Sequence, residues 1–143
     1  MRGIRTLSRT DRYRRNVELL CSMPGISTLT AMVILTEIVD IRRFRTSNHL
    51  ANYFGVIPGA RTSGEKTRQT GISMRRNAHL RYVVIESAWI AVAQDPYYLA
   101  KFNHLVGKHK SKKDSIVIIA RKLVNCMMAI LVHGERYRVH TAA

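Results

Sequence analysis

The chain has 143 residues, of which 46% are hydrophobic, so it fits one folded domain with its own core and not a disordered chain. It carries 24 lysine and arginine residues against 9 acidic residues, a formal net charge of +15. Such an excess attracts polyanions, with nucleic acid the first expectation and an anionic membrane surface the second. A structural RNA-binding protein would show the same excess, so the charge alone does not select a role.

The two cysteines, Cys21 and Cys126, lie in apolar surroundings and lack the paired spacing of a zinc or redox site. We expect inert thiols in a reducing compartment. The basic N-terminal segment is not followed by the apolar stretch of a signal peptide. The longest apolar run, residues 127–132, is too short to span a bilayer. We therefore expect a cytoplasmic protein without a membrane partner.

The first predicted feature is a basic N-terminal arm, residues 1–18, which is either a solvated tail or a helix. It carries arginines at positions 2, 5, 9, 12, 14 and 15 and few apolar residues. From Asp11 onward apolar residues recur at helical spacing, which predicts a helix.

A turn follows at Pro24 and Gly25, which should end this helix, and Ser27 is placed to cap the next one. Helix, short glycine turn and helix form the pattern of a helix-hairpin-helix. Its turn presents backbone N–H groups at a helix N-terminus and binds phosphate without reading bases. An ordinary helix connection has the same pattern. We predict DNA or RNA contacts at Pro24, Gly25, Ile26 and Ser27, and a second helix that lies in the core.

Two further helices are predicted on either side of a polar segment. Ser47 should cap the first, a short helix, and Asn77 should cap the second, which extends to about residue 94. The second helix has two apolar stripes, which predicts a central, buried helix with Trp89 in the core. Between the two helices, residues 67–72 are interpreted as a small β-hairpin.

The last two predicted helices have clear start signals. Asp95 and Pro96 begin a helix that ends at Gly107, and Ser111 with Asp114 begins the final long helix. The polar tail after residue 134 is expected to be frayed. The predicted fold is mainly α: a helical bundle of five or six helices, with an N-terminal helix-hairpin-helix-like unit and one polar loop or small β-hairpin.

The polar segment, residues 55–81, concentrates positive charge around Ser63. Its basic side chains are predicted to contact DNA or RNA: Arg61, Lys66, Arg68, Arg75, Arg76 and Arg81. A serine hydroxyl needs a base or a metal to take its proton before it attacks, and no histidine lies within the loop around it. From the residues alone, Ser63 is a loop serine, one that contacts phosphate, or a nucleophile whose base lies elsewhere.

The sequence shows no metal-binding pattern. Its nine acidic residues are scattered, and its six histidines lack the spacing of metal ligands. We expect no metal site within this chain.

Several short motifs occur in one order between residues 19 and 136. They are Pro24-Gly25-Ile26, Thr30-Ala31, Asp40-Ile41 with Arg43-Phe44, Leu50-Ala51-Asn52-Tyr53, Gly55 with Pro58, Ser63-Gly64, Gly71-Ile72, Asn77 with Leu80-Arg81, and Ala88-Trp89. In this order they resemble the C-terminal domain of the transposases of the insertion sequence 110/116/902 group.

The resemblance implies that Ser63 is a nucleophile that attacks a DNA phosphate and gives a covalent serine–DNA intermediate. It also implies an N-terminal ribonuclease-H-like domain that binds Mg²⁺ through four carboxylates, a structured guide RNA, and a homo-oligomer. This chain shows no such carboxylates, so we expect it to be inactive alone. Two departures from the group pattern stand in the polar segment: Gly59 replaces a serine and Arg76 replaces a glycine.

The predicted organisation is an arm (1–18), a transposase C-terminal domain (19–136) and a polar tail (137–143). The alternative function is a DNA- or RNA-binding module without catalysis. A structural RNA-binding protein is a third hypothesis, which the motif order argues against.

Overall fold

The computed structural model describes residues 2–57, 71–108 and 110–138, and for residues 71–77 it describes the backbone alone. Within these ranges the chain forms seven α-helices, one 3₁₀ turn and no β-strand. The α-helices are α1 (Arg2–Ser8), α2 (Arg14–Cys21), α3 (Thr28–Ile38), α4 (Ser47–Phe54), α5 (Gly71–Gln94), α6 (Pro96–Gly107) and α7 (Lys112–His133). The prediction of a mainly α bundle is confirmed, with more helices than expected.

Short polar side chains cap α3, α6 and α7 at the expected places. The side chain of Ser27 accepts a hydrogen bond from Thr30 N, that of Asp95 from Tyr97 N, and that of Ser111 from Asp114 N. Each cap satisfies a backbone N–H that has no acceptor within its own helix. At α4 the cap is Thr46, one residue before the predicted Ser47.

Helix α7 is the centre of the bundle, with α2, α4, α5 and α6 packed around it. Its inward face repeats at helical spacing and is almost fully buried, through Ile116, Ile119, Ala120, Leu123, Met127 and Ile130. Burying each large aliphatic side chain contributes about 1.5–3 kcal/mol.

By length and composition alone, α7 is apolar enough to cross a membrane, which the sequence prediction for residues 127–132 did not anticipate. A buried core helix meets the same two criteria, and four helices cover this one. Its apolar character is therefore explained by packing within the fold.

Helix α5 differs from its prediction in two ways. It begins at Gly71, so Asn77 lies inside the helix and is not its cap, and a β-hairpin that includes Ile72 is wrong. Nothing between Gly71 and Asn77 stops a helix, because methionine and arginine are good helix formers. The second apolar stripe is only partly buried: Val92 lies in the core, whereas Trp89 is 40% exposed and packs edge-on against Phe102.

Both ends of the described chain are more ordered than expected. The basic arm begins with α1, which packs against α3, and Ser8 is buried. After α7 the chain turns at Gly134 and continues to Tyr137, which is half-buried against the core. Fraying was the wrong expectation for this part of the tail.

Candidate nucleic-acid interface

The turn between α2 and α3 is fixed by the packing of Gly25 on α5. Gly25 has a φ of +82°, a conformation that side chains rarely adopt. A Cβ at this position would overlap the carbonyl oxygen of Ser87 and lie 3.2 Å from the backbone N of Ala91. Only glycine therefore allows the turn to approach the backbone of α5 this closely.

This packing leaves the first turn of α3 at the surface. Ile26 is buried in the core and Pro24 is half-buried, whereas Ser27 and Thr28 are exposed. Ser27 Oγ accepts from Thr30 N at 3.2 Å. The N–H groups of Thr28 and Leu29 have no acceptor within the described ranges. Of the four predicted turn contacts, the structure thus brings Ser27 to an anion-accessible helix N-terminus.

The C-terminal segment holds the other side of the same turn. Tyr137 N donates to Ser22 Oγ at 2.9 Å, and the Tyr137 hydroxyl donates to Asp95 Oδ2 at 2.9 Å. Burial, with the hydrogen bond to Asp95, raises the pKa of Tyr137. The sequence interpretation missed this residue, although an aromatic side chain in a polar tail was an available signal.

The predicted reactive segment falls mostly outside the described residues. Ser63, Arg61, Lys66 and Arg68 lie there. Arg75 and Arg76 lie in the first turns of α5, where only the backbone is described.

Arg81 is the one arginine or lysine of the polar segment whose side chain is described. Its guanidinium donates to the carbonyl oxygen of Gly55, the C-cap of α4. Arg81 therefore joins the helix before residues 58–70 to the helix after them. One guanidinium N–H group of Arg81 is thus engaged within the protein. The residue helps to position the two helices that flank residues 58–70.

Few of the basic residues with described side chains form an ion pair. Among the residues with described side chains, the single ion pair is Arg42 with Asp40, at 3.1 Å and exposed to solvent. The hydrogen bond from the Arg42 side chain lowers the pKa of Asp40. The remaining basic residues are left to attract mobile anions or a polyanion.

The described residues do not fit a catalytic metal. They contain no group of three or more histidine, cysteine, aspartate or glutamate side chains that could hold an ion. The Mg²⁺ implied by the family resemblance therefore has no ligand set in this part of the chain.

Comparison with known proteins places these features in context. Residues 17–104 match the family described as "Transposase IS116/IS110/IS902 family". The transposase for insertion sequence element IS1111A of Coxiella burnetii is 30% identical over an aligned length of 132 residues. The match covers 82% of this chain and 33% of that protein. The pilin gene-inverting protein of Moraxella bovis is 28% identical over 135 residues, covering 92% of this chain and 42% of that protein.

A third relative is the insertion element IS110 43.6 kDa protein of Streptomyces coelicolor, 28% identical over 118 residues, covering 82% of this chain and 29% of that protein. The chain spans less than half the length of each of these three relatives.

Proposed function

Because the chain belongs to the IS116/IS110/IS902 family of transposases, as its motif order predicted, we propose that it is a DNA-binding, serine-bearing part of a DNA recombinase. The observation that carries this proposal is the family match over residues 17–104, which includes Ser63. As part of this proposal, the protein works in the cytoplasm on DNA in the same compartment.

The electrostatics of the surface support DNA as the partner. The net charge is +15, and among the described side chains the single ion pair is that of Arg42 with Asp40. A protein with many lysine and arginine side chains binds duplex DNA because its positive charges replace the counterions held by the phosphates, which are released into solution. Ser27 and the first turn of α3 add backbone N–H groups that suit the same phosphates.

In the proposed reaction, Ser63 Oγ attacks a backbone phosphorus atom of DNA. A bond from serine oxygen to phosphorus forms, and one phosphorus–oxygen bond of the DNA backbone breaks. The serine proton passes to a base, and the departing deoxyribose oxygen takes up a proton. Arg61, Lys66 and Arg68 would stabilise the negative charge that grows on the attacked phosphate.

The chain alone is proposed to bind DNA without recombining it. Its relatives are more than twice as long, and the described residues hold no metal-ligand group. Mg²⁺, a guide RNA and a homo-oligomer are parts of the proposal that belong to a protein of family length.

Covalent trapping tests the nucleophile. The remaining N-terminal part of a family-length relative is supplied in trans with labelled DNA, and protein–DNA adducts are separated under denaturing conditions. We expect adducts from the parent chain and from the matched Ser73→Ala variant, and none from Ser63→Ala. If Ser63→Ala forms adducts as well as the parent, Ser63 is not the nucleophile.

A binding module without catalysis is the second candidate, favoured by the net charge of +15. It predicts salt-sensitive binding to DNA or RNA and no adduct under any combination of domains. An adduct that depends on Ser63 would exclude it.

A further inference from the structure

Residues 2–15, which contain α1 and the start of α2, carry a positive surface that lies outside the family-matched residues 17–104. Residues 2–15 contain six arginines, one aspartate and no lysine, a net charge of +5 in 14 residues. Arginine is the residue that suits phosphate best, because its planar guanidinium donates two parallel hydrogen bonds. This segment therefore has the composition of a phosphate-binding surface.

The structure separates these arginines into two groups. Arg15 donates to the carbonyl oxygen of Gly134 at 2.9 Å, and the guanidinium of Arg12 lies over the ring of Tyr13 at 5.4 Å. The other four are exposed and have no ion pair, side-chain hydrogen bond or ring contact to any described residue: Arg2, Arg5, Arg9 and Arg14. These four, which we name the arginine face, are available to an external partner.

The arginine face is held on folded chain. Ile4 packs against the core and Ser8 is 6% exposed, so one side of α1 faces inward. Ser8 Oγ also donates to the carbonyl oxygen of Arg5 at 2.8 Å. A docked helix presents its charges with less loss of conformational freedom on binding than a frayed tail would.

The spacing of the charges fits a polyanion. Arg2 and Arg5 lie three residues apart within α1, a separation at which helical side chains are neighbours, whereas Arg9 directly follows this helix and Arg14 begins α2. Like charges at this separation repel each other, and a phosphate between them removes the repulsion. The seven residues of α1 span about 10 Å, over which duplex DNA presents several phosphates.

We propose that the arginine face is a second contact surface for the phosphate backbone of duplex DNA. It rests on the proposed function, since the family acts on DNA. The arginine face would contact DNA in addition to the two regions already predicted to do so, the turn before α3 and the loop that contains Ser63. This contact supplies affinity and orientation, not base recognition.

The test is the salt dependence of binding to a 30-base-pair duplex, measured with the parent chain and with Arg2, Arg5, Arg9 and Arg14 all changed to Gln. The matched control changes four exposed lysines to Gln and so has the same net charge: Lys108, Lys110, Lys112 and Lys113. We expect the slope of log affinity against log salt to shrink by up to about 3.6 in the arginine variant, at about 0.9 per phosphate contact. The lysine control should keep most of the parent slope.

A third variant with the same four arginines changed to lysine should bind with the parent slope. Circular dichroism checks that each variant keeps its helices. Equal slopes for the arginine-to-glutamine variant and the lysine control would overturn the arginine face, because net charge alone would then explain the binding. A slope change seen only with RNA of equal length would assign the surface to RNA instead. If the parent chain itself does not bind DNA, the proposed function is contradicted, and this outcome is distinct from a failure of the arginine face alone.

Discussion

The hydroxyl of Tyr137 donates a 2.9 Å hydrogen bond to Oδ2 of Asp95, 42 residues earlier in the chain. Asp95 is 6% exposed, and its other carboxylate oxygen accepts from Tyr97 N and caps α6. One buried carboxylate thus joins the C-terminal segment to the start of a core helix. A buried acceptor that loses its donor costs more than the bond itself contributes.

Changing Tyr137 to Phe should lower the free energy of unfolding by about 1–2 kcal/mol, because the carboxylate of Asp95 loses a donor. Urea unfolding followed by circular dichroism measures it. The matched control is Tyr82→Phe, since Tyr82 is 65% exposed; we expect a change within about 0.5 kcal/mol. Equal effects of the two substitutions would contradict the role of the Tyr137 hydroxyl.

Gly25→Ala should destabilise the fold by at least about 2 kcal/mol, since it adds left-handed backbone strain to a clash with the backbone of α5. Gly107→Ala is the control, because a Cβ there meets nothing within 4 Å. It should be neutral or stabilise by up to about 1 kcal/mol. Thermal and urea unfolding of both variants measure the difference, and a tolerated Gly25→Ala would show that the turn does not need glycine.

Val39 is a β-branched residue at a positive φ of 66°, and 64% of it is exposed. Asp40 N donates to the carbonyl oxygen of Ile38 at 2.8 Å, so Val39 is the central residue of a strained γ-turn. Val39→Gly should relieve this strain and leave stability unchanged or raised by up to about 1 kcal/mol.

The control for Val39→Gly is Thr36→Gly, at an exposed position inside α3, which should cost about 0.3–0.5 kcal/mol, because threonine is itself a poor helix former and glycine a worse one. Chemical unfolding of both variants gives the comparison. A loss at Val39→Gly as large as that at Thr36→Gly would mean that the turn at Val39 is not strained.

Burial raises the pKa of Cys126 to about 11. Because the folded value exceeds the unfolded one, the neutral thiol favours the folded state below the unfolded pKa. That contribution should disappear as the pH rises from about 9 to about 11. Unfolding free energies of the parent and Cys126→Ala chains, measured at pH 8 and at pH 10.5, isolate the effect.

We expect the parent to lose more stability than Cys126→Ala between these two pH values. Equal losses of unfolding free energy in the two chains would show that the Cys126 thiol is in contact with solvent in the folded state. The rate of thiol alkylation gives a second readout: at pH 8 it should be much slower in the folded chain than in urea, since the thiolate is the reactive form.

Local signals in the sequence located most of the helices. Ser27, Asp95 and Ser111 were predicted as caps because a cap depends on one side chain and the next three residues. The start of α5 was misplaced for the same reason: Asn77 has the chemistry of a cap, but the residues before it also form helix. Periodicity placed two apolar faces on α5, and only packing against α6 and α7 decided that the face with Trp89 stays partly exposed.

The candidate site was less predictable than the fold. The importance of Ser63 rests on the order of motifs along the chain, since no base beside it follows from the residues. Gly25 was predicted as a turn residue, yet its contact with Ser87 joins parts of the chain 62 residues apart, and no local pattern contains that. Ser63 as nucleophile stays a prediction.

The hydrogen bond from Tyr137 N to Ser22 has a consequence for how the protein is made. The two residues are separated by 115 positions. At the usual pace of translation, roughly 6 to 23 seconds pass between their synthesis. During that time Ser22 Oγ lacks its donor from Tyr137. This link to the α2–α3 turn can therefore form only after all seven described helices have been synthesised.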